Sequence, residues 1–228
     1  MKALTRSIAL LMMGIATLSL ATSCKEDDNK KPEEKKEQAS LKGNISADRT
    51  LDAKVAYTLD GALFVKKGAT LTIPAGTVIT SETGFDKYIL VEQGAKINIQ
   101  GTAQSPVTLT AKDKKPGAWG GLVINGYAPL TSSQKSAKTE INPEYPYGGD
   151  NPADNSGSIT YLKLEYCGAQ SNDAVEHNSL TLNGVGSGTK ISNIFAYMGA
   201  DDGVEFFGGA VSIDNFLAVN MDDDMFDV

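Results

Sequence analysis

Val65-Lys66-Lys67-Gly68-Ala69-Thr70-Leu71-Thr72-Ile73 returns 26 residues later as Val91-Glu92-Gln93-Gly94-Ala95-Lys96-Ile97-Asn98-Ile99. In both copies an apolar residue closes one run, a glycine turns the chain, and a second run alternates apolar with polar side chains. Alternation of period two marks strands with one buried face. Leu122-Val123-Ile124-Asn125-Gly126 is matched in the same way by Leu180-Thr181-Leu182-Asn183-Gly184, and more loosely by Val204-Glu205-Phe206-Phe207-Gly208. Ile191-Ser192-Asn193-Ile194 is matched by Ile213-Asp214-Asn215-Phe216, 22 residues on. Periods of this length fit single coils of a solenoid, each of three short strands and three bends, whose apolar side chains are buried only by stacking on the next coil. The expected fold is therefore all-β, a parallel β-helix. An antiparallel sandwich would instead use Asp60-Gly61, Asn125-Gly126 and Asn183-Gly184 as hairpin turns. The last two of these occupy matched places in a repeat, which favours coils.

Upstream of the repeats the character of the chain changes. Lys2 and Arg6 precede an apolar run from Ile8 to Leu20, too short to span a bilayer and suited to the core of a signal peptide. The run ends in Leu20-Ala21-Thr22-Ser23-Cys24, which resembles a bacterial lipobox with its leucine displaced by one position. Residues 1–23 are accordingly expected to be a lipoprotein signal, and Cys24 the lipidated first residue of the mature chain. From Lys25 to Gln38, eleven of fourteen residues are charged and none is aromatic or β-branched. Such a segment cannot bury apolar surface, so residues 24–42 are expected to form an anchored, disordered tether, with the β-helix occupying 43–228.

With 21 basic and 28 acidic residues the net charge is −7, and Arg6 and Arg49 are the only arginines. A nucleic-acid partner is excluded on this balance, since phosphates need a basic face. Cys24 and Cys167 are the only cysteines, so no disulfide framework is expected.

The acids concentrate near the C-terminal end. In the 22-residue register Asp201 falls on Asp223, Asp202 on Asp224 and Glu205 on Asp227, with Asp222 alongside. At about 5 Å and an effective dielectric of 20, each stacked pair would repel by about 3 kcal/mol, and by nearer 1 kcal/mol in water. Calcium takes six to eight oxygen ligands. Asp201, Asp202, Glu205, Asp222, Asp223 and Asp224 are therefore a candidate calcium site; the alternative is that these acids sit on outer turns, where water screens them.

Residues 131–157 make a long connection for a compact coil. Tyr145, Tyr147, Asp150 and Asp154 within it are candidate ligand contacts, because rings beside carboxylates and amides can hold a sugar; packing of the segment on itself is the alternative. Trp119 is expected to pack, and His177 to lie exposed in a turn without a catalytic role. No nucleophile elbow, zinc motif or phosphate loop occurs, and no catalytic residue is assigned.

Three longer stretches carry a family resemblance: Gly117-Ala118-Trp119-Gly120-Gly121-Leu122-Val123-Ile124-Asn125-Gly126, Tyr147-Gly148-Gly149-Asp150-Asn151-Pro152-Ala153-Asp154-Asn155-Ser156-Gly157, and Leu182-Asn183-Gly184-Val185-Gly186-Ser187-Gly188-Thr189. Together they resemble a family of right-handed β-helix outer-membrane lipoproteins of the Bacteroidetes, similar to a leptospiral outer-membrane lipoprotein. The resemblance implies a right-handed coil, and a chain whose relatives continue past the Asp222–Asp224 run, so that this one is truncated at its C-terminus. Lys25-Glu26-Asp27-Asp28 resembles the signal that sends such lipoproteins to the outer face of the outer membrane. The expected role is a cell-surface protein, held in the membrane by its lipid, that binds or scaffolds a glycan, a matrix component or a TonB-dependent transporter. The alternative is a polysaccharide lyase or glycoside hydrolase using the acidic edge. Polygalacturonase-like enzymes share the scaffold and a paired aspartate such as Asp201-Asp202, but their Gly-His-Gly and Arg-x-Lys motifs are absent.

Overall fold

The computed structural model describes residues 37–131, 133–172 and 175–228. The signal segment, Cys24, the Lys25-Glu26-Asp27-Asp28 motif and the tether as far as residue 36 lie outside the described residues. All helix or strand among the described residues is strand. The chain passes through β1 (Gln38–Ile45), β2 (Arg49–Thr50), β3 (Ala56–Val65), β4 (Thr70–Pro74), β5 (Val78–Ser81), β6 (Gly84–Val91), β7 (Lys96–Gln100), β8 (Val107–Ala111) and β9 (Trp119–Asn125). An excursion then carries β10 (Ser136–Lys138) and β11 (Pro146–Gly148). It is followed by β12 (Gly157–Glu165), β13 (Gln170–Asn172), β14 (Val175–Glu176), β15 (Leu180–Asn183), β16 (Lys190–Tyr197), β17 (Val204–Phe207) and β18 (Ile213–Val219).

Apart from the antiparallel hairpins β10–β11 and β13–β14, every strand pairing is parallel. The pairings build three faces of a right-handed parallel β-helix. On the first, Ile45, Val65, Val91, Ile124, Leu182 and Phe206 stand in register. On the second the rungs are Ile73, Ile99, Ile159, Ile191 and Ile213, and on the third Tyr57, Ile79, Leu109, Leu164, Ala196 and Ala218. The 26-residue and 22-residue repeats are thus single coils. Like stacks on like because the coils lie about 4.8 Å apart, and each fully buried rung contributes about 1.5–3 kcal/mol relative to an exposed one.

The bends have their own chemistry. Tyr161, Asn193 and Asn215 share one corner of three successive coils with φ of 47°, 57° and 62°. Tyr166, Met198 and Asn220 repeat the left-handed turn at the next corner. A single left-handed residue redirects a strand without a loop, and asparagine tolerates that conformation better than other residues with a Cβ. Asn215 Nδ2 also donates to Asn193 Oδ1 at 3.3 Å, linking the corners of two coils.

Two expectations are revised. Residues 38–42, assigned to the tether, form most of β1: Gln38–Leu41 pair with Ala56–Leu59, and Leu41 is fully buried. The adjacent charges hid that strand, which a neighbouring coil stabilises rather than its own composition. His177, expected in an exposed turn, is buried against Phe85 and Tyr88, with ring centroids at 4.6 and 4.9 Å. It fits because Gly120 beneath it has no side chain; a Cβ there would lie 2.7 Å from the imidazole.

Residues 126–156 leave the coil between β9 and β12 and fold back over the outside of the first face. There Ile141 and Tyr145 pack on Tyr88, Leu90 and Val123, forming a second, smaller apolar cluster. Trp119 is buried as expected, its indole N–H donating to the Glu165 carbonyl at 2.9 Å.

Candidate functional site

The outward-pointing rungs of the first face change character along the solenoid. In register they run Phe64, Leu90, Val123, Thr181, Glu205 and Asp227. Residues 126–156 cover the apolar half, while the acidic half belongs to the later coils. A groove opens beside the covered half and a carboxylate cluster beside the acidic half.

The groove has a volume of about 450 Å³ and is lined by Lys66, Lys67, Glu92, Gln93, Tyr127, Glu144, Tyr145 and Pro146. Its floor is the corner of the quoted repeat: Lys66 pairs with Glu92 one coil away, and the Lys67 backbone N–H donates to Glu92 Oε2 at 3.1 Å. That pairing holds the Lys66 ammonium above the usual lysine pKa range. Gln93 Nε2 donates to the Gly126 and Gly148 carbonyls, both at 2.8 Å, pinning the excursion to the coil below. Tyr145 stacks on Phe64 with centroids 5.0 Å apart, and Lys66 Nζ sits 5.2 Å from its ring centre. Two tyrosines, fixed charges and a fixed amide in an open cleft suit a polyhydroxylated ligand.

Of the four ligand contacts expected from the sequence, Tyr145 alone lines this groove. Tyr147 and Asp154 are buried, the latter accepting from Ser156 Oγ at 3.2 Å, and Asp150 is exposed and paired with Lys135.

Carboxylate oxygens of Asp201, Asp202 and Asp223 lie within 4.8 Å of one another, as do those of Asp202, Glu205 and Asp227. Asp222 and Asp224 fall outside both groups and are exposed; the Asp224 backbone N–H donates to Asp202 Oδ1 at 2.9 Å. Burial, reinforced by Glu176 and Asp202, pushes the Asp201 carboxyl up to about 7. Burial likewise raises Asp202 to about 6 and Glu205 to about 7, against the lowering effect of hydrogen bonds from the Asp224 backbone and the Asn178 side chain. Among the described residues, no ion pair involves any of these acids.

Three neighbours escaped the sequence reading. Glu140 arrives from the excursion, and Glu176 and Asn178 from the chain entering β15. The Glu140 carboxyl, raised by burial, accepts the Glu176 backbone N–H. Asn178 Nδ2 donates to Glu205 Oε2. These residues belong to no repeat, so no sequence register brings them together. Arg49 lies on β2, on the second face in the first coils, so among the described residues no arginine stands among the acids.

Stacked parallel faces, left-handed single-residue corners and an external cleft define the chain as a parallel β-helix protein. It belongs to the pectate-lyase-like beta-helix domain family, whose sequence model matches residues 43–228. A domain of that family fits a surface binding protein or a polysaccharide-acting enzyme. Comparison with curated proteins and with solved structures finds no match.

Proposed function

We propose that this protein is a lipid-anchored β-helix of the bacterial outer surface that captures a glycan in the Tyr127–Tyr145 groove. The observation that carries the reading is the lining of that groove: aromatic rings, a lysine–carboxylate pair and a glutamine amide, each held by a coil or by the excursion. Rings contribute stacking area at small entropic cost, and fixed polar groups select among hydroxyl patterns. Cys24 carries the lipid in this reading, and Lys25 to Asp28 direct the protein outward. A TonB-dependent transporter of the same membrane is the partner that such capture would serve. The described residues include no helix long and apolar enough to cross a membrane.

A glycan array followed by titration of the best ligand tests the groove. Tyr145→Ala and Tyr127→Ala should each weaken binding about tenfold or more, equivalent to at least about 1.4 kcal/mol. Failure of every glycan to bind, or binding indifferent to both substitutions, refutes the assignment. The anchor is checked separately: Cys24→Ala should abolish acyl labelling and release the protein from membranes.

A further inference from the structure

Between β15 and the excursion lies a small cavity of about 20 Å³, lined among others by Glu140, Tyr147, Glu176, Asn178, Thr181 and Asn183. Its volume suits one water-sized occupant. Asn178 is 4% exposed and Asn183 1% exposed, and the Oδ1 atom of each has no hydrogen-bond partner. Buried amide oxygens are rarely left in that state.

The orientation of these amides follows from their neighbours. Thr139 Oγ1 donates to the Tyr145 carbonyl at 2.9 Å and therefore accepts from Asn125 Nδ2 at 2.8 Å. Asn125 Nδ2 also donates to the Pro146 carbonyl at 3.2 Å, so its Oδ1 must be an acceptor, and Asn183 Nδ2 supplies the donor at 2.9 Å. The next rung of this amide stack is Phe207, which has no donor to offer Asn183 Oδ1. Asn178 is fixed similarly, its Nδ2 being engaged by the Glu205 carboxylate. Flipping Asn183 would place its oxygen against Asn125 Oδ1, and, with Glu205 ionised, flipping Asn178 would place oxygen against carboxylate oxygen. The cavity is left with two amide oxygens and the Glu140 and Glu176 carboxylates, a set rich in hard acceptors. A water has only two hydrogens to share among them.

We propose that the cavity is a divalent-cation site, calcium first, in which Glu140, Glu176, Asn178 and Asn183 supply oxygen ligands. All four donors are the hard oxygens that calcium prefers, and water or the Thr181 hydroxyl can complete its shell. The ion ties the excursion, through Glu140, to the coil that carries Asn178 and Asn183. The sequence suggests a site of Asp201, Asp202, Glu205 and Asp222–Asp224; the cavity adjoins its inner members, with Glu176 against Asp201 and Asn178 against Glu205, and excludes the exposed Asp222, Asp223 and Asp224. It stands whether or not the nearby groove binds glycans.

The test uses the full chain in detergent, stripped with chelator, with calcium or magnesium chloride as the probe. Titration should give one ion per chain, and 1 mM calcium should raise the melting temperature by about 5–10 °C if that is a hundredfold excess over Kd. Glu140→Gln and Glu176→Gln should each reduce affinity at least about tenfold while melting in chelator close to wild type; either variant suffices if the other misfolds. Asp223→Asn, on the exposed side, should bind normally. Absence of both heat and thermal shift with either metal would mean that the cavity holds water, and would overturn the proposal. So would binding that survives both glutamine variants but is lost in Asp223→Asn, which would place the ion among the outer acids.

Discussion

At the corner shared by Tyr161, Asn193 and Asn215, backbone conformation can be separated from side-chain packing by replacing one residue two ways. Asn193 sits at φ 57° and accepts one hydrogen bond from Asn215. Asn193→Ala and Asn193→Gly both remove the side chain and that bond, at a cost of about 0.5–1 kcal/mol for a partly exposed pair. They then diverge. Alanine keeps a Cβ in a left-handed position, costing about 1–2 kcal/mol, whereas glycine adopts it freely but loses about 0.5–1 kcal/mol through the greater freedom of its unfolded chain. The expected order of stability is asparagine, then glycine, then alanine, with glycine above alanine by about 0.5–1 kcal/mol, or about 1–4 °C in melting temperature for a chain of this size. Ser192, at a positive-φ-free strand position in the same coil, should show the reverse order between its alanine and glycine variants. Urea denaturation of the four variants and wild type measures both differences. Alanine at 193 equal to or more stable than glycine would refute the account of the corner.

Truncating the second-face stack at its middle, Ile159→Ala should cost about 2–5 kcal/mol and Ile159→Val about 0.5–1.5 kcal/mol, because Ile159 is fully buried between Ile99 and Ile191; equal costs by urea denaturation would refute interlocked stacking. Burial holds His177 at about 4, below its ordinary 6.5, so the folded ring stays neutral while the unfolded ring gains a proton as pH falls. Stability from this group is therefore complete above about pH 6.5 and is lost progressively towards pH 4, by up to about 3 kcal/mol. The raised acids act oppositely in metal-free protein: Asp201, Asp202 and Glu205 hold protons when folded that they release when unfolded, so their contribution falls as pH rises from about 4 to 7. The difference between wild type and His177→Phe across pH 4–7 isolates the histidine, and a flat difference would contradict its burial as the cause.

Periodic features were the most legible in the sequence. Val65 on Val91, Leu122 on Leu180 and Ile191 on Ile213 follow from the repeats because a coil places equivalent residues above one another. The pairing of Glu205 with Asp227 is readable for the same reason, through the 22-residue register, although the candidate set drawn from it left out Asp227 and took in Asp222 and Asp224, which fall outside both carboxylate groups. Features without a period were hidden. His177 gives no local sign of burial, since its cover is Phe85 and its seat Gly120, both on earlier coils. Glu140 meets Glu176 only because the excursion folds back across the first face. Lys66 and Glu92 lay in the very stretch that revealed the coil, but as turn residues they disclosed no groove until Tyr127 and Tyr145 were set beside them.

The excursion of residues 126–156 leaves and rejoins the solenoid without disturbing its register. Ile124 still meets Leu182 on one face, and Ile99 still meets Ile159 on the next. In the two preceding coils the same corner is closed by Lys66–Ala69 and Glu92–Ala95. The inward rungs on either side of the excursion therefore stack directly on one another, while the excursion itself covers the outward rungs Leu90 and Val123 and is held by Gln93 and Asn125.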